Sequence, residues 1–393
     1  METQRKNNEE SFINKDVFMK SKEAKMKKTL SVLLVILAVG IIALIIALSV
    51  NNNTSIEQGD IKIGIVGHFS GEYASYGVPM KNAVELAVEE VNNQGGIDGR
   101  QIKLLIEDDG ADATKAASAM NKLINIDNVD YIISAQGSGA TSVVSPIAQD
   151  NKRILMITLG SSPDLAKIGD YIFRSVPSDV YQATEMVKVL NGDLKSKKVA
   201  GLYINNAYGV GIRDIVDKSG KVTINEMFEP GSADFRTQLL KIKEADVDTM
   251  VLVCYKEECP LILKQANDLN LNINILASET FKDEEILSNS GSYAEGVYVM
   301  FMEEPQDYVD FTENYKNKFG VDPSAYSMYA YDGATALIEA IDKVKDNVDG
   351  VKNKLYSISF NGASGSVGFD EDGDRTGSDY TIYVVENGKF VLY

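Results

Sequence analysis

Short, continuously apolar runs alternate with amphipathic stretches from residue 60 to residue 278, and this rhythm limits the possible folds more than anything else in the chain. IKIGIVG (61–67), IKLLIED (102–108), VDYIIS (129–134) and RILMIT (153–158) read as strands, separated by the helical stretches Pro79–Asn92, Ala113–Ile124 and Thr141–Asp150. Within the first helix Ala83, Leu86, Ala87 and Val91 fall on one stripe. The rhythm resumes with strand VAGLYIN (199–205), helix Gly211–Lys218, strand Val222–Phe228, helix Phe235–Ala245, strand TMVLVCY (249–255), helix Cys259–Leu269 and strand INILAS (273–278). Strands that are apolar on both faces and alternate with helices indicate parallel sheets covered on two sides. Two such series predict an α/β chain with two doubly wound lobes. In open sheets of this kind ligands bind beyond the carboxyl ends of the strands. That rule selects the loops His68–Tyr76, Ala135–Thr141, Leu159–Ser162, Asn205–Tyr208, Tyr255–Glu258 and the position of Glu279, meeting in a cleft between the lobes.

A second feature precedes this body. Leu30–Val50 is a run of 21 residues without charge, and no charge occurs from Thr29 to Ile56. As a helix at ~1.5 Å per residue it spans about 30 Å, the hydrocarbon thickness of a bilayer. Lys22, Lys25, Lys27 and Lys28 precede it and no Lys or Arg follows before Lys62. The positive-inside bias predicts a cytoplasmic tail at 1–28, a transmembrane anchor at 29–50, a linker at 51–59 and an extracytoplasmic remainder. A cleaved signal is the rival, but the run is longer than an ordinary signal core and lacks a small-residue cleavage pattern.

Charge narrows the function. Lys and Arg number 39 against 57 Asp and Glu, a net charge of −18; the first 28 residues hold eight basic and five acidic groups, so the remainder carries −21. An acidic body without a basic stripe does not suit nucleic acid. One histidine, His68, and two cysteines, Cys254 and Cys259, leave little for zinc or for His-based catalysis. Gly64, Gly67 and Gly71 do not have the spacing of a dinucleotide loop, and Gly137-Ser138-Gly139 is no nucleophile elbow. Ser70 lies two residues from His68, but without a second histidine nucleophilic catalysis would need an unusual base, so His68 is expected to serve structure or binding rather than catalysis. FDEDGDRTG (369–377) does not fit a calcium loop, since Arg375 and Thr381 stand where Gly and Glu are needed, and a solvated hairpin turn is expected. Cys254 and Cys259 are equally compatible with a disulfide or two buried thiols. No cofactor is expected.

The polar groups at the strand ends are more informative. Ser138, Gly139 and Thr141 open a helix just beyond a buried strand, an arrangement suited to a carboxylate. Thr158-Leu159-Gly160-Ser161-Ser162 brings a second hydroxyl cluster to the same rim. Across the cleft Glu279 follows an apolar strand, placed to hold an ammonium group. Tyr76, Tyr208 and Tyr255 lie in rim loops that can wall in a side chain. Together they suit a small zwitterion.

At these residues the chain resembles the leucine/isoleucine/valine-binding protein family, the type I periplasmic solute-binding proteins of branched-chain amino acid ABC transporters. The likeness covers residues 60–393. It runs through IKIGIVGHFSGEYASYGVPMKNAVELAVEEVNNQGGIDGRQIKLLIEDDG (61–110), Ala135–Pro146, Leu155–Leu165, INNAYGVG (204–211), LILKQANDLNL (261–271), AEGVYV (294–299) and SAYSMYAYDGATAL (324–337). The resemblance implies two hinged lobes, here 60–178 with 302–345 and 179–301 with 346–393, closing on an amino acid delivered to an ABC permease. By position it gives Ser138 the ligand carboxylate. Ser161 takes the ammonium with a carbonyl of Leu159 or Gly160 and with Glu279, and Tyr76, Tyr208, Tyr255 and Tyr326 form the walls. Three departures accompany it: the 158–163 loop is one residue short, Ala111 and Gly137 stand near the family's N-lobe cysteines, and the expected membrane helix replaces a cleaved signal.

Overall fold

The computed structural model describes Met26 and residues 59–71, 73–303, 309–345, 347–377 and 379–393. The predicted anchor at 29–50 lies outside the described residues, as do nearly all of the predicted tail and linker. Among the described residues no helix is long and apolar enough to cross a membrane.

The first sheet contains β1 (Ile61–Gly67), β2 (Ile102–Asp108), β3 (Tyr131–Ala135), β4 (Ile154–Ile157) and β5 (Ile172–Arg174), ordered β2-β1-β3-β4-β5 and wholly parallel. Helices α1 (Ala74–Asn93), α2 (Ala113–Asn125) and α3 (Ser138–Asp150) make the crossovers. The period of two explains the burial: Ile63, Ile133 and Met156 pack on one face with Met80 and Val84 of α1, while Val66, Ile132 and Leu155 pack on the other with Leu123 of α2 and Val144 of α3.

The chain then crosses to a second unit of α4 (Asp179–Asn191), β6 (Val199–Ile204), α5 (Ala207–Val216), β7 (Val222–Phe228), α6 (Arg236–Glu244), β8 (Thr249–Val253), α7 (Glu258–Asp268), β9 (Asn274–Ala277), α8 (Glu284–Ser290) and β10 (Tyr298–Met302). It returns for α9 (Val309–Phe319), α10 (Ala325–Val344), α11 (Val348–Leu355) and the hairpin β11 (Ser359–Gly362) and β12 (Gly365–Gly368). A third crossing leads to β13 (Tyr380–Glu386) and β14 (Lys389–Leu392), which extend the second sheet antiparallel, in the order β14-β13-β10-β9-β8-β6-β7. Each sheet has its own buried core, and the lobes together form one compact unit over residues 60–393.

Several expectations are corrected. The expected division places residues 348–369 in the second lobe, but Val351, Leu355, Val367 and Phe369 are buried in the first, beside Leu337 and Ile341 of α10. A short connection from α10 leaves α11 nowhere else to put its apolar stripe; only β13 and β14 return to the second sheet. Helix α1 starts five residues before Pro79. Its first turn lies against the backbone of His68, where a Cβ on Gly77 would overlap the His68 carbonyl oxygen, so only glycine fits. The carbonyl of Pro79 accepts the Tyr315 hydroxyl at 3.1 Å.

The acidic turn at 370–374 is docked rather than solvated. Arg174, fully buried, donates through Nε and Nη2 to the Asp374 carboxylate at 2.6 and 2.7 Å, and its backbone N–H donates to the Gly373 carbonyl at 2.9 Å. Asp370 accepts the N–H groups of Asp372 and Asp374 at 3.0 and 2.9 Å. Cys254 and Cys259 form a disulfide with Cα atoms 5.4 Å apart. Among the described residues no group of three or more His, Cys, Asp or Glu is placed to hold a metal ion.

Candidate functional site

The loops beyond β1, β3, β4, β6, β8 and β9 converge on a cavity of about 290 Å³, at the small end of the ~300–1,000 Å³ usual for small-molecule sites. Of the residues singled out in the sequence, Ser138, Gly139, Leu159, Ser161, Glu279, Tyr76, Tyr208, Tyr255 and Tyr326 line it, and Thr141, Gly160 and Ser162 do not.

One end of the cavity is built for an anion. Helix α3 begins at Ser138 with Gly137 as a cap that has no side chain. The N–H groups of Ser138, Gly139 and Ala140 have no carbonyl partner within the helix, and the helix dipole favours negative charge there. Ser138 Oγ accepts the N–H groups of Ser161 and Ser162 at 3.2 and 3.1 Å. Its lone pairs are thereby used, which directs its own proton outward as a donor. The three residues outside the wall brace this arrangement. Thr141 Oγ1 donates to the Gln136 carbonyl at 2.9 Å, Gly160 packs against Thr141, and the Ser162 carbonyl accepts Arg174 Nη1 at 2.6 Å.

The other end is acidic. Ser161 Oγ donates to Asp179 Oδ2 at 3.0 Å, which turns its lone pairs toward an incoming donor. Gln182 ties the two acids together. Its Nε2 donates to Asp179 Oδ1 at 3.3 Å, and its Oε1 accepts the Glu279 N–H at 3.0 Å. Glu279 Oε2 accepts the Tyr208 hydroxyl at 2.8 Å. Both acids are buried. Burial pushes the Glu279 carboxyl up to about 7, against the hydrogen bonds from Tyr208 and Gln182. Asp179 is also held well above the usual carboxylate range, by burial first and the Glu279 charge second, with the Arg174 guanidinium opposing. Two buried acids sharing one network call for a cation.

Aromatic rings close the space between the ends. Tyr208 and Tyr255 stack with centroids 5.7 Å apart and planes 10° apart, Tyr255 meets Tyr73 edge-on at 5.5 Å, and Tyr76 meets Tyr326 edge-on at 6.2 Å. Asn206 Nδ2 donates to the Tyr255 hydroxyl at 3.2 Å. The hydroxyls of Tyr76 and Tyr326 are buried without a hydrogen-bond partner.

Sequence reasoning overlooked Asp179 and Gln182. A Ser178-Asp179 pair opening a helix reads as ordinary capping, and Ser178 does accept the Val180 N–H. The signal was present but ambiguous. Tyr73 and Asn206 fell inside the loops picked out as the rim without being chosen.

The model of the periplasmic binding protein family matches residues 60–389. Over 341 residues the chain is 28% identical to a leucine-, isoleucine-, valine-, threonine- and alanine-binding protein of Pseudomonas aeruginosa, covering 84% of this chain and 91% of that one. The structure of the branched-chain amino acid transporter substrate-binding protein LivJ of Streptococcus pneumoniae, in complex with isoleucine, matches with TM-score 0.74 and 29% identity, covering 84% of this chain and 97% of that one. An ABC-transporter solute-binding protein of Rhodopseudomonas palustris, in complex with 3,4-dihydroxybenzoic acid, shares the fold at TM-score 0.72 and 21% identity, covering 85% of this chain and 95% of that one. These relatives bind solutes and are not enzymes. The chain belongs to the periplasmic binding protein family, among the substrate-binding proteins of the branched-chain amino acid ABC transporter group.

Proposed function

We propose that this protein captures a free amino acid, branched-chain or similar, outside the cytoplasm and delivers it to an ABC permease, with residues 29–50 anchoring it in the membrane and the N-terminus inside. The carrying observation is that the anion-seeking start of α3 and the Glu279 carboxylate line one small cavity from opposite lobes. The carboxylate is met by the Ser138 hydroxyl and the first N–H groups of α3. The ammonium is met by Ser161 Oγ and Glu279, with Asp179 behind. A ligand that touches both lobes stabilises the closed form by contacts the open form lacks, so binding is a shift of population without chemistry.

An aromatic acid in the same fold is the second reading, favoured by the R. palustris neighbour. Two buried acids count against it, because an aromatic acid offers them no cation. Calorimetry of a fragment from residue 51 onward with the twenty amino acids tests the proposal. A saturable heat with an aliphatic amino acid, lost in Glu279→Ala, supports it; heat with benzoates alone would transfer support to the rival. Mass spectrometry of the membrane fraction, finding residues 1–50 intact, checks the anchor.

A further inference from the structure

His68 is the only histidine of the chain. It follows β1, lines the cavity and has no part in the reading above. Its Nδ1 lies 2.6 Å from Asp109 Oδ1, and its Nε2 accepts the Gly137 N–H at 3.0 Å. A nitrogen that accepts is bare, so the ring is the neutral tautomer with its proton on Nδ1, donated to Asp109. Asp109 is fully buried and fixed from other sides. Its Oδ1 accepts the Ala111 N–H at 2.8 Å and its Oδ2 accepts the Gln136 amide. Gln136 Oε1 in turn accepts the Ser134 hydroxyl at 2.9 Å.

This buried polar frame ends on the peptide that matters. Gly137 caps α3 and precedes Ser138. A Cβ on Gly137 would stand 3.7 Å from His68 Nε2 and 3.9 Å from the Tyr255 hydroxyl, so the glycine lies between the two lobes. With its N–H taken by His68, the start of α3 is tied to the end of β1, and the next N–H groups keep a fixed direction.

We infer that His68 is a positioning residue: its neutral ring orients the Gly137–Ser138 peptide, and through it the donors that meet the ligand carboxylate. This rests on the amino-acid reading. The test uses the full chain in detergent, without a histidine tag and labelled with 15N-histidine, so that one imidazole gives the whole signal. The Nε2 resonance is expected at the position of an unprotonated acceptor, and to move on saturation with the amino acid that gives the largest heat. His68→Met, which keeps volume but supplies no comparable acceptor, is expected to weaken that binding roughly tenfold. His68→Gln, whose amide oxygen can accept from Gly137, is expected to stay within about threefold of the parent. Equal affinity of the Met and Gln variants, a protonated Nε2, or a resonance unmoved at saturation overturns the inference while leaving the amino-acid reading intact. If none of the twenty amino acids gives heat, the amino-acid reading falls and the inference falls with it.

Discussion

Acidifying the medium from about pH 8 to about pH 6 is expected to weaken amino-acid binding roughly tenfold. Burial sets the window by pushing the Glu279 carboxyl up to about 7. Only the ionised acid holds an ammonium ion, so affinity follows the ionised fraction, about nine-tenths at the upper end and about one-tenth at the lower. Near the midpoint, binding should release about half a proton. The same group determines the sign for stability. Its folded value lies above the ordinary 4.5, so its stabilising contribution is complete below that value and is lost as pH rises through about 7. At ~1.4 kcal/mol per unit, the ligand-free protein loses about 3 kcal/mol between pH below 4.5 and pH above 7, of which about 1.3 kcal/mol falls between about pH 6 and about pH 8, and Asp179 acts in the same direction. The bound ammonium offsets the loss, so the rise in melting temperature caused by ligand should be larger at alkaline than at acid pH. Calorimetry in two buffers of different ionisation heat, across this range, measures both affinity and proton release. Glu279→Gln should flatten the profile and cost about 2–3 kcal/mol of affinity. Affinity that stays constant through the window, with no proton released, would refute the assignment of Glu279 to the ammonium.

Three further outcomes follow from the frame around the site. Arg174→Met leaves Asp374 without its buried partner and is expected to lower stability by about 3–5 kcal/mol, read by urea denaturation; Arg174→Met with Asp374→Asn should recover much of it. Gly77→Ala drives a methyl into the His68 carbonyl and should cost about 1–3 kcal/mol in the same assay, while Gly139→Ala, on a helical backbone where a Cβ meets nothing, lacks that clash and should cost less. Replacing Cys254 and Cys259 by alanine opens the loop that carries Tyr255 and should cost about 2 kcal/mol, seen as a lower melting temperature that reductant no longer affects.

The architecture was legible because each strand is apolar on both faces and each helix on one, and those periods survive any detail of packing. Strands 61–67, 102–108 and 222–228 have the predicted bounds. What stayed hidden depended on contacts between distant residues. Nothing local in residues 348–369 says which sheet they cover. The acids of 370–374 look solvated until Arg174 is brought against them from 200 residues away. Pro79 suggested a helix start because proline is favoured in a first turn, but the close approach allowed by Gly77 lets the helix begin earlier. At the site, the hydroxyls and Glu279 stood out because their loops follow strand ends. Asp179 did not, since an acid at a helix start is ordinary and only the fold brings it to Ser161. Thr141 was legible as part of the helix start, but its hydroxyl turns inward to Gln136, and no spacing rule gives that direction.

The central claim is that both charged ends of one amino acid are held at once. A crystal structure of residues 51–393 grown with the amino acid that gives the largest heat tests it most directly. The ligand carboxylate is expected on the Ser138 hydroxyl and the N–H groups opening α3, with the ammonium within hydrogen-bond reach of Ser161 Oγ and Glu279. A ligand lying with its ammonium away from Glu279, or seated in one lobe alone, would contradict the account.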